Sequence, residues 1–368
     1  MNTIRVHLPG SPTGPDPDRS YLIRCGSGLL DSLGPLLRDS GGRRGVVVAD
    51  AAVAETHAAR VVASLQAAGI EAVSLTVPSG EASKSVGALG RLWAEFARLA
   101  VDRHTRVMAV GGGVVGDLAG FAAATFSRGL PVWQVPTTLV AQVDSAIGGK
   151  TGINLPAGKN LVGAFWQPAG VVSDIDTLST LPDREFVSGL AEVVKYGVIL
   201  DAEFFAWLED HAAAILAREP AAVGHAVERS AALKARVVEQ DERETTGLRA
   251  ALNYGHTFAH AYETAAGYGV LLHGEAVAIG MARAARLAER CGRISCDLVA
   301  RQDRLLERFR LPVAAPESLR DAERLIEIMG RDKKTLDGQL RFVLPSKLGH
   351  VDLVDGIRPE AVKDVLQG

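Results

Sequence analysis

RVMAVGGGVVGDLAGFAAA, residues 106–124, decides the fold. An apolar run ends on three consecutive glycines and opens into an alanine-rich helical pattern, which spells a buried strand, a tight turn and a helix. Glycine lets the backbone approach an anion closely, and the unpaired amides of a helix start favour its negative charge. Gly111, Gly112 and Gly113 therefore mark a candidate pyrophosphate site, and Gly111, Gly113 and Gly116 fit the G-x-G-x-x-G spacing.

Outward from this turn the chain alternates. VVVAD at 46–50, a helical pattern over 54–68, EAVSLTV at 71–77, a helical pattern over 84–100 and PVWQVP at 131–136 predict a parallel sheet with crossover helices. Asp50 closes its strand, where an open α/β sheet sets a carboxylate against ribose hydroxyls, although a turn or helix cap is the plainer role. It precedes the glycine loop, the reverse of the standard dinucleotide order. Beyond the loop, residues 121–170 carry Arg128, Lys150 and Lys159 against the single carboxylate Asp144, a local excess of cations suited to phosphate or carboxylate groups.

After TLSTLPDRE at 177–185 the rhythm becomes helical over 184–200, 203–216, 218–241, 251–264, 274–290, 296–309 and 316–328, with a hairpin pattern near 340–354. The expected class is α/β plus α: a Rossmann-like parallel-sheet nucleotide-binding domain over 1–180 and a mainly helical domain over 181–368. A net charge of -3 over 368 residues argues against nucleic acid as a partner. The apolar stretches Val107–Gly116 and Gly129–Val143 fall short of the roughly 20 residues that a membrane helix needs. Cys25, Cys291 and Cys296 form no Cys-x-x-Cys pair, and the N-terminus lacks a secretory pattern, so a reducing cytoplasm is expected.

The helical half offers a metal site. His256 and His260 are four residues apart on one helical face, and His273 opens the next helical segment. Two of these imidazoles with a carboxylate would give a three-ligand site with an open position. Thr257 rules out H-E-x-x-H, so the carboxylate comes from elsewhere. Glu192 stands in the apolar stretch GLAEVVKYGVI with Lys195 three residues on, either as a surface ion pair or as a buried functional group. Spacing leaves open which two of the three histidines bind metal.

SGEASK at 79–84, the glycine segment 111–129, VPTTLVAQVDSAIGGKTGIN at 135–154, GKNLVGAFWQP at 158–168, SGLAEVVKYGVI at 188–199, DERETTGLRAALNYGHTFAH at 241–260, LHGEAVAIGM at 272–281 and MGRDKK at 329–334 occur in one order. Together they resemble the 3-dehydroquinate synthase family of sugar phosphate cyclases. The resemblance implies a homodimeric carbon–oxygen lyase of aromatic amino acid biosynthesis. Such an enzyme converts a small phosphosugar acid, 3-deoxy-D-arabino-heptulosonate 7-phosphate, to 3-dehydroquinate and phosphate. The implied course is transient oxidation by NAD, phosphate elimination, reduction and an internal aldol step, with zinc or cobalt bound.

By the same resemblance Glu192, His256 and His273 would hold the metal. NAD would contact Asp50, Ser79, Gly80, Glu81, Lys84, Gly112, Gly113, Val114, Val115, Gly116, Asp117, Thr137, Thr138, Lys150, Lys159, Thr177, Leu178, Ser179 and Thr180. Substrate would contact Arg128, Asp144, Lys150, Asn160, Lys195, Lys234, Arg249, Asn253, His260 and Lys333 or Lys334. Three departures stand out: Ala52 lacks a polar side chain common there, Ala259 replaces a glycine, and Thr245-Thr246 looks like a one-residue insertion. The alternatives are a sister cyclase acting on an amino analogue or a sugar phosphate, a metal-dependent NAD polyol dehydrogenase, and a non-catalytic NAD or phosphosugar binder.

Overall fold

Residues 1–10, 18–267, 269–330 and 340–367 are described by a computed structural model. They fall into two units, Met1–Pro182 with Val227–Arg243, and Asp183–Ala226 with Glu244–Gly368.

The first unit contains β1 (Asn2–Val6), β2 (Tyr21–Gly26), α1 (Leu33–Asp39), β3 (Arg44–Asp50), α2 (Ala59–Ala67), β4 (Glu71–Val77), α3 (Val86–Arg98), β5 (Arg106–Gly111), α4 (Gly113–Thr125), β6 (Val132–Pro136), β7 (Lys150–Leu155), β8 (Gly158–Phe165) and β9 (Gly170–Asp174). Seven strands form one sheet in the order β1-β2-β9-β6-β5-β3-β4. All neighbours are parallel except β1 and β2.

The near-continuous apolar reading of β3 and β5 has a simple cause: both faces of the sheet are covered. Val46, Val48, Val107 and Ala109 pack with Leu89, Leu92 and Phe96 of α3 and Leu118 of α4. The alternate residues Val47, Ala49, Met108 and Val110 pack with Leu33 and Leu37 of α1 and Val61 and Leu65 of α2. Every parallel strand therefore ends in a turn on the same edge of the sheet, which is where the glycine loop and Asp50 stand. The alternation gave no sign of β1, β2 or the antiparallel β7–β8 hairpin, whose glycine-rich strands lack a regular inward face.

The second unit holds α5 (Asp183–Leu200), α6 (Ala202–Leu216), α7 (Pro220–Gln240) up to Ala226, α8 (His256–Ala266), α9 (His273–Arg290), α10 (Cys296–Arg308), α11 (Ala322–Gly330), the hairpin β10 (Phe342–Lys347) and β11 (His350–Val354), and α12 (Pro359–Gln367). The second half of α7, with Lys234, belongs to the first unit. Helix α5 is buried without a break from Phe186 to Ile199, so it is a core helix, packed against α6 and α9, rather than an amphipathic surface helix.

Two glycines of α9 determine how closely it lies on its neighbours. A Cβ at Gly274 would sit 1.7 Å from Ser188 O of α5, and one at Gly280 would sit 2.2 Å from Gly255 O, just before α8. The expected helix over 251–264 is broken at this second contact. Leu248–Asn253 is a 3-10 turn, Gly255 takes a left-handed φ of 78°, and α8 starts at His256. Among the described residues no helix is long and apolar enough to cross a membrane.

Candidate active site

The close packing of α5, α8 and α9 brings Glu192, His256 and His273 together, with one ligand atom from each lying within 4.8 Å of the others. Glu192 Oε1 is 3.2 Å from His273 Nε2 and 3.6 Å from His256 Nε2. The other carboxylate oxygen meets the Lys195 ammonium. Glu192 and Lys195 are 0% and 1% exposed, which rejects the surface ion pair: a charge pair this deep requires compensation on every side.

The imidazoles are oriented for a metal. His256 Nδ1 donates to Tyr254 O at 3.1 Å, a consequence of the helix starting at His256, and this leaves the Nε2 lone pair facing Glu192. On His273, Nε2 faces Glu192 while Nδ1 lies 3.8 Å from Glu263 Oε1. A carboxylate behind a ligating histidine fixes its ring and raises its basicity. Burial pulls the His273 imidazole down, but the hydrogen bond with Glu192 and the charges of Glu192 and Glu263 outweigh it and carry the group to about 10. Two nitrogens and one carboxylate oxygen are a donor set suited to zinc or a similar borderline ion with an open position.

The choice among the three histidines is thus made by packing. His260 is half-buried, with its ring 5.7 Å from that of His256, and it stays outside the triad. Asn253 is half-buried at the end of its 3-10 turn. Arg249 is 1% exposed and its Nε lies 3.8 Å from Glu244 Oε1.

The first unit gathers most of the remaining candidates. Lys84 Nζ donates to Asp117 Oδ2 at 2.6 Å and to Asn160 Oδ1 at 2.5 Å, and Glu81 accepts from Asn154 Nδ2 at 2.7 Å. Lys234 Nζ donates to Asp144 Oδ1 at 2.7 Å and to Asp144 O at 2.6 Å. Asp50 caps its turn by accepting from Ala52 N at 2.9 Å and also receives the Ser79 hydroxyl. Its plain role as a cap is therefore real, and its carboxylate stands half-buried at the strand end. Gly80 has a φ of 97° in the turn before Glu81.

The glycine loop fits a bound anion. Gly112 is the N-cap of the 13-residue α4 and supplies no side-chain cap, so the first amides, on Gly113, Val114 and Val115, have no side-chain acceptor from the cap. Ser145 Oγ, which a Cβ at Gly113 would meet at 2.8 Å, is buried with no hydrogen-bond partner among the described residues. A Cβ at Gly116 would meet Gln134 Oε1 at 2.9 Å, and Thr137 N donates to Gly111 O at 2.9 Å beside Thr138. Thr177 and Leu178 are buried, and Ser179 and Thr180 are exposed at the end of the turn after β9. Lys150 and Lys159 lie on the hairpin. Arg128 is exposed at a φ of 63° in the turn after α4, apart from these networks. Lys333 and Lys334 lie outside the described residues.

Two carboxylates escaped the reading of the sequence. Glu263 stands seven residues from His256 and three from His260, so the helical period could have found it. Glu244 sits in the polar stretch DERETT and carries no such signal.

Two family models match the chain: 3-dehydroquinate synthase N-terminal over residues 74–188 and 3-dehydroquinate synthase C-terminal over residues 189–335. A 3-dehydroquinate synthase of Rhodopirellula baltica is 55% identical over 86% of this chain and 84% of its own length. One from Methylococcus capsulatus is 51% identical over 96% of this chain and 95% of its own. Among solved structures, 2-epi-5-epi-valiolone synthase from Streptomyces hygroscopicus with NAD+ and Zn2+ bound has 28% identity and a TM-score of 0.86 over 94% of this chain and 95% of that one. A 2-deoxy-scyllo-inosose synthase complexed with carbaglucose-6-phosphate, NAD+ and Co2+ has 26% identity and a TM-score of 0.88 over 100% of this chain and 99% of that one.

Proposed function

The chain belongs to the 3-dehydroquinate synthase family of lyases, and from that premise we propose how its residues divide the work of converting 3-deoxy-D-arabino-heptulosonate 7-phosphate to 3-dehydroquinate and phosphate. The observation that carries this reading is the buried convergence of Glu192, His256 and His273, with both imidazoles turned Nε2-first toward one carboxylate oxygen. Bound NAD supplies a hydride acceptor that gives the hydride back within one turnover, and a divalent metal supplies a Lewis acid for the hydroxyl being oxidised.

Glu192, His256 and His273 hold the metal, which we take to be zinc, with cobalt as a substitute. Residues 1–180 bind the cofactor. Asp50 serves the ribose, and the α4 amides from Gly112 to Asp117 serve the pyrophosphate, with Ser79, Gly80, Glu81, Lys84, Thr137, Thr138, Lys150, Lys159 and the turn from Thr177 to Thr180 around it. Residues 181–368 bind metal and substrate. Arg249 and Asn253 hold the substrate carboxylate, His260 bonds the phosphate, and Arg128, Asp144, Lys150, Asn160, Lys195, Lys234 and Lys333 complete the site. A substrate with two anionic groups accounts for this density of cations.

We further assign a homodimer, the commonest form of a soluble oligomer, and a cytoplasmic location, where three free thiols persist. The 2-epi-5-epi-valiolone synthase and the 2-deoxy-scyllo-inosose synthase share the fold at 26–28% identity, about half that of the named 3-dehydroquinate synthases. The test is substrate choice. With NAD and zinc present, the protein should turn over the phosphosugar acid and leave glucose 6-phosphate untouched; the reverse preference would move it to the sister cyclases.

A further inference from the structure

His57 lies on the short turn Ala54–Ala58, directly after the turn that Asp50 caps. It is 6% exposed, and its Nε2 is 2.8 Å from Thr180 Oγ1. The direction of that bond follows from proton counting. The Thr180 hydroxyl has one hydrogen, and it goes to Thr177 O at 3.0 Å, because a carbonyl can only accept. The bond from His57 therefore needs a proton on Nε2. Nδ1 is then bare, and it is buried with no hydrogen-bond partner among the described residues. A second proton there would be a buried N–H without an acceptor. Burial and then the Arg60 cation hold the imidazole below its ordinary value, against the pull of Asp174.

The turn that His57 grips is held at its other end by Gln142. That side chain is 0% exposed, and its Nε2 donates to Asp174 O at 3.0 Å and Thr177 Oγ1 at 3.1 Å. Thr180 itself is exposed, so the buried imidazole is the fixed partner of a surface hydroxyl. We propose that His57 is a positioning residue for NAD: as a neutral Nε2–H donor it locks Thr180 and joins the Thr177–Thr180 turn to the Asp50 turn. The inference rests on the assignment of both turns to the cofactor.

NAD affinity of the full chain, measured by calorimetry without substrate, tests it, with kcat at saturating NAD as the second readout. His57→Ala should weaken NAD binding about five-fold, the worth of one neutral hydrogen bond, and leave kcat within about two-fold. His57→Gln puts an amide N–H where the imidazole Nε2–H stood and should restore wild-type affinity. Thr180→Val should weaken binding at least as much as His57→Ala, and the two changes together should cost no more than Thr180→Val alone. Wild-type affinity in His57→Ala or in Thr180→Val, a Gln variant no better than Ala, or additive losses in the double variant would each overturn the proposal. If His57→Ala does not fold, the Gln and Thr180→Val arms still decide it. A wild-type protein that binds no NAD would overturn the cofactor assignment as well, whereas wild-type binding with indifferent variants would sink only the role of His57.

Discussion

Adding one methyl group at Gly274 should open the metal site. The new Cβ would lie 1.7 Å from Ser188 O and 2.5 Å from Ser188 C, against the 3.0 Å below which real Cβ atoms essentially never approach another heavy atom. A backbone oxygen cannot swing aside as a side chain can, so α5 and α9 must part by about 1.3 Å, the difference between 3.0 and 1.7 Å. Ser188 is one helical turn before Glu192, and Gly274 follows His273, so the separation falls directly on the 3.2 Å approach of His273 Nε2 to Glu192 Oε1. Helix propensity alone would favour alanine by roughly 1 kcal/mol. Overpacking should outweigh it by a further ~1–3 kcal/mol, and zinc affinity should fall roughly 10–100-fold, as when a ligand loses its support. The assay is zinc titration against a chromogenic chelator, with NAD affinity as the control for intact folding of the first unit. Gly274→Ala with wild-type zinc affinity, or with a raised Tm, would refute the claim that helix contact positions the triad.

Other outcomes follow from single groups. Arg249→Ala should lose at least about 10²-fold in kcat/KM, some 3 kcal/mol for a buried charge-assisted contact, and an unchanged value would remove Arg249 from the site. Folding raises His273 from 6.5 to about 10, so its contribution to the metal-free protein is complete below pH 6.5 and disappears as the pH climbs toward 10. The Tm measured in chelator should fall across that window while zinc affinity rises, since the ion must displace that proton; a flat pair of profiles would contradict it. Burial, then the charge of Glu228, pushes the Cys25 thiol up to about 12, against a hydrogen bond with Ser173, whereas Cys291 and Cys296 are exposed. A thiol reagent at pH 8 should therefore label two cysteines quickly and the third only on unfolding; rapid labelling of all three would show that the β2 region opens.

How much of this was legible in the sequence depended on whether the deciding contact was local. β3, β5 and β6 could be read because both faces of the sheet are covered there, which leaves near-continuous apolar runs between turn residues, and the edge strand β4 because EAVSLTV alternates. The glycine loop could be read because a strand, a turn and a helix start are adjacent in the chain. Neither the selection of His256 and His273 over His260 nor the place of Glu263 behind His273 could be read from spacing. Those arrangements come from Gly274 and Gly280 meeting backbone oxygens far away in the chain. The break at Gly255 belongs to the same contact, since helical periodicity runs through 251–264 without interruption. The burial of the Glu192–Lys195 pair was hinted at by its apolar flanks, and it became definite only with a helix enclosed on all sides.

The most direct test follows phosphate and NADH together in one cuvette, with 3-deoxy-D-arabino-heptulosonate 7-phosphate, NAD and zinc present. The account predicts steady phosphate release with no accumulating NADH, abolished by a chelator and by Glu192→Gln. No phosphate, or NADH rising in step with turnover, would contradict it.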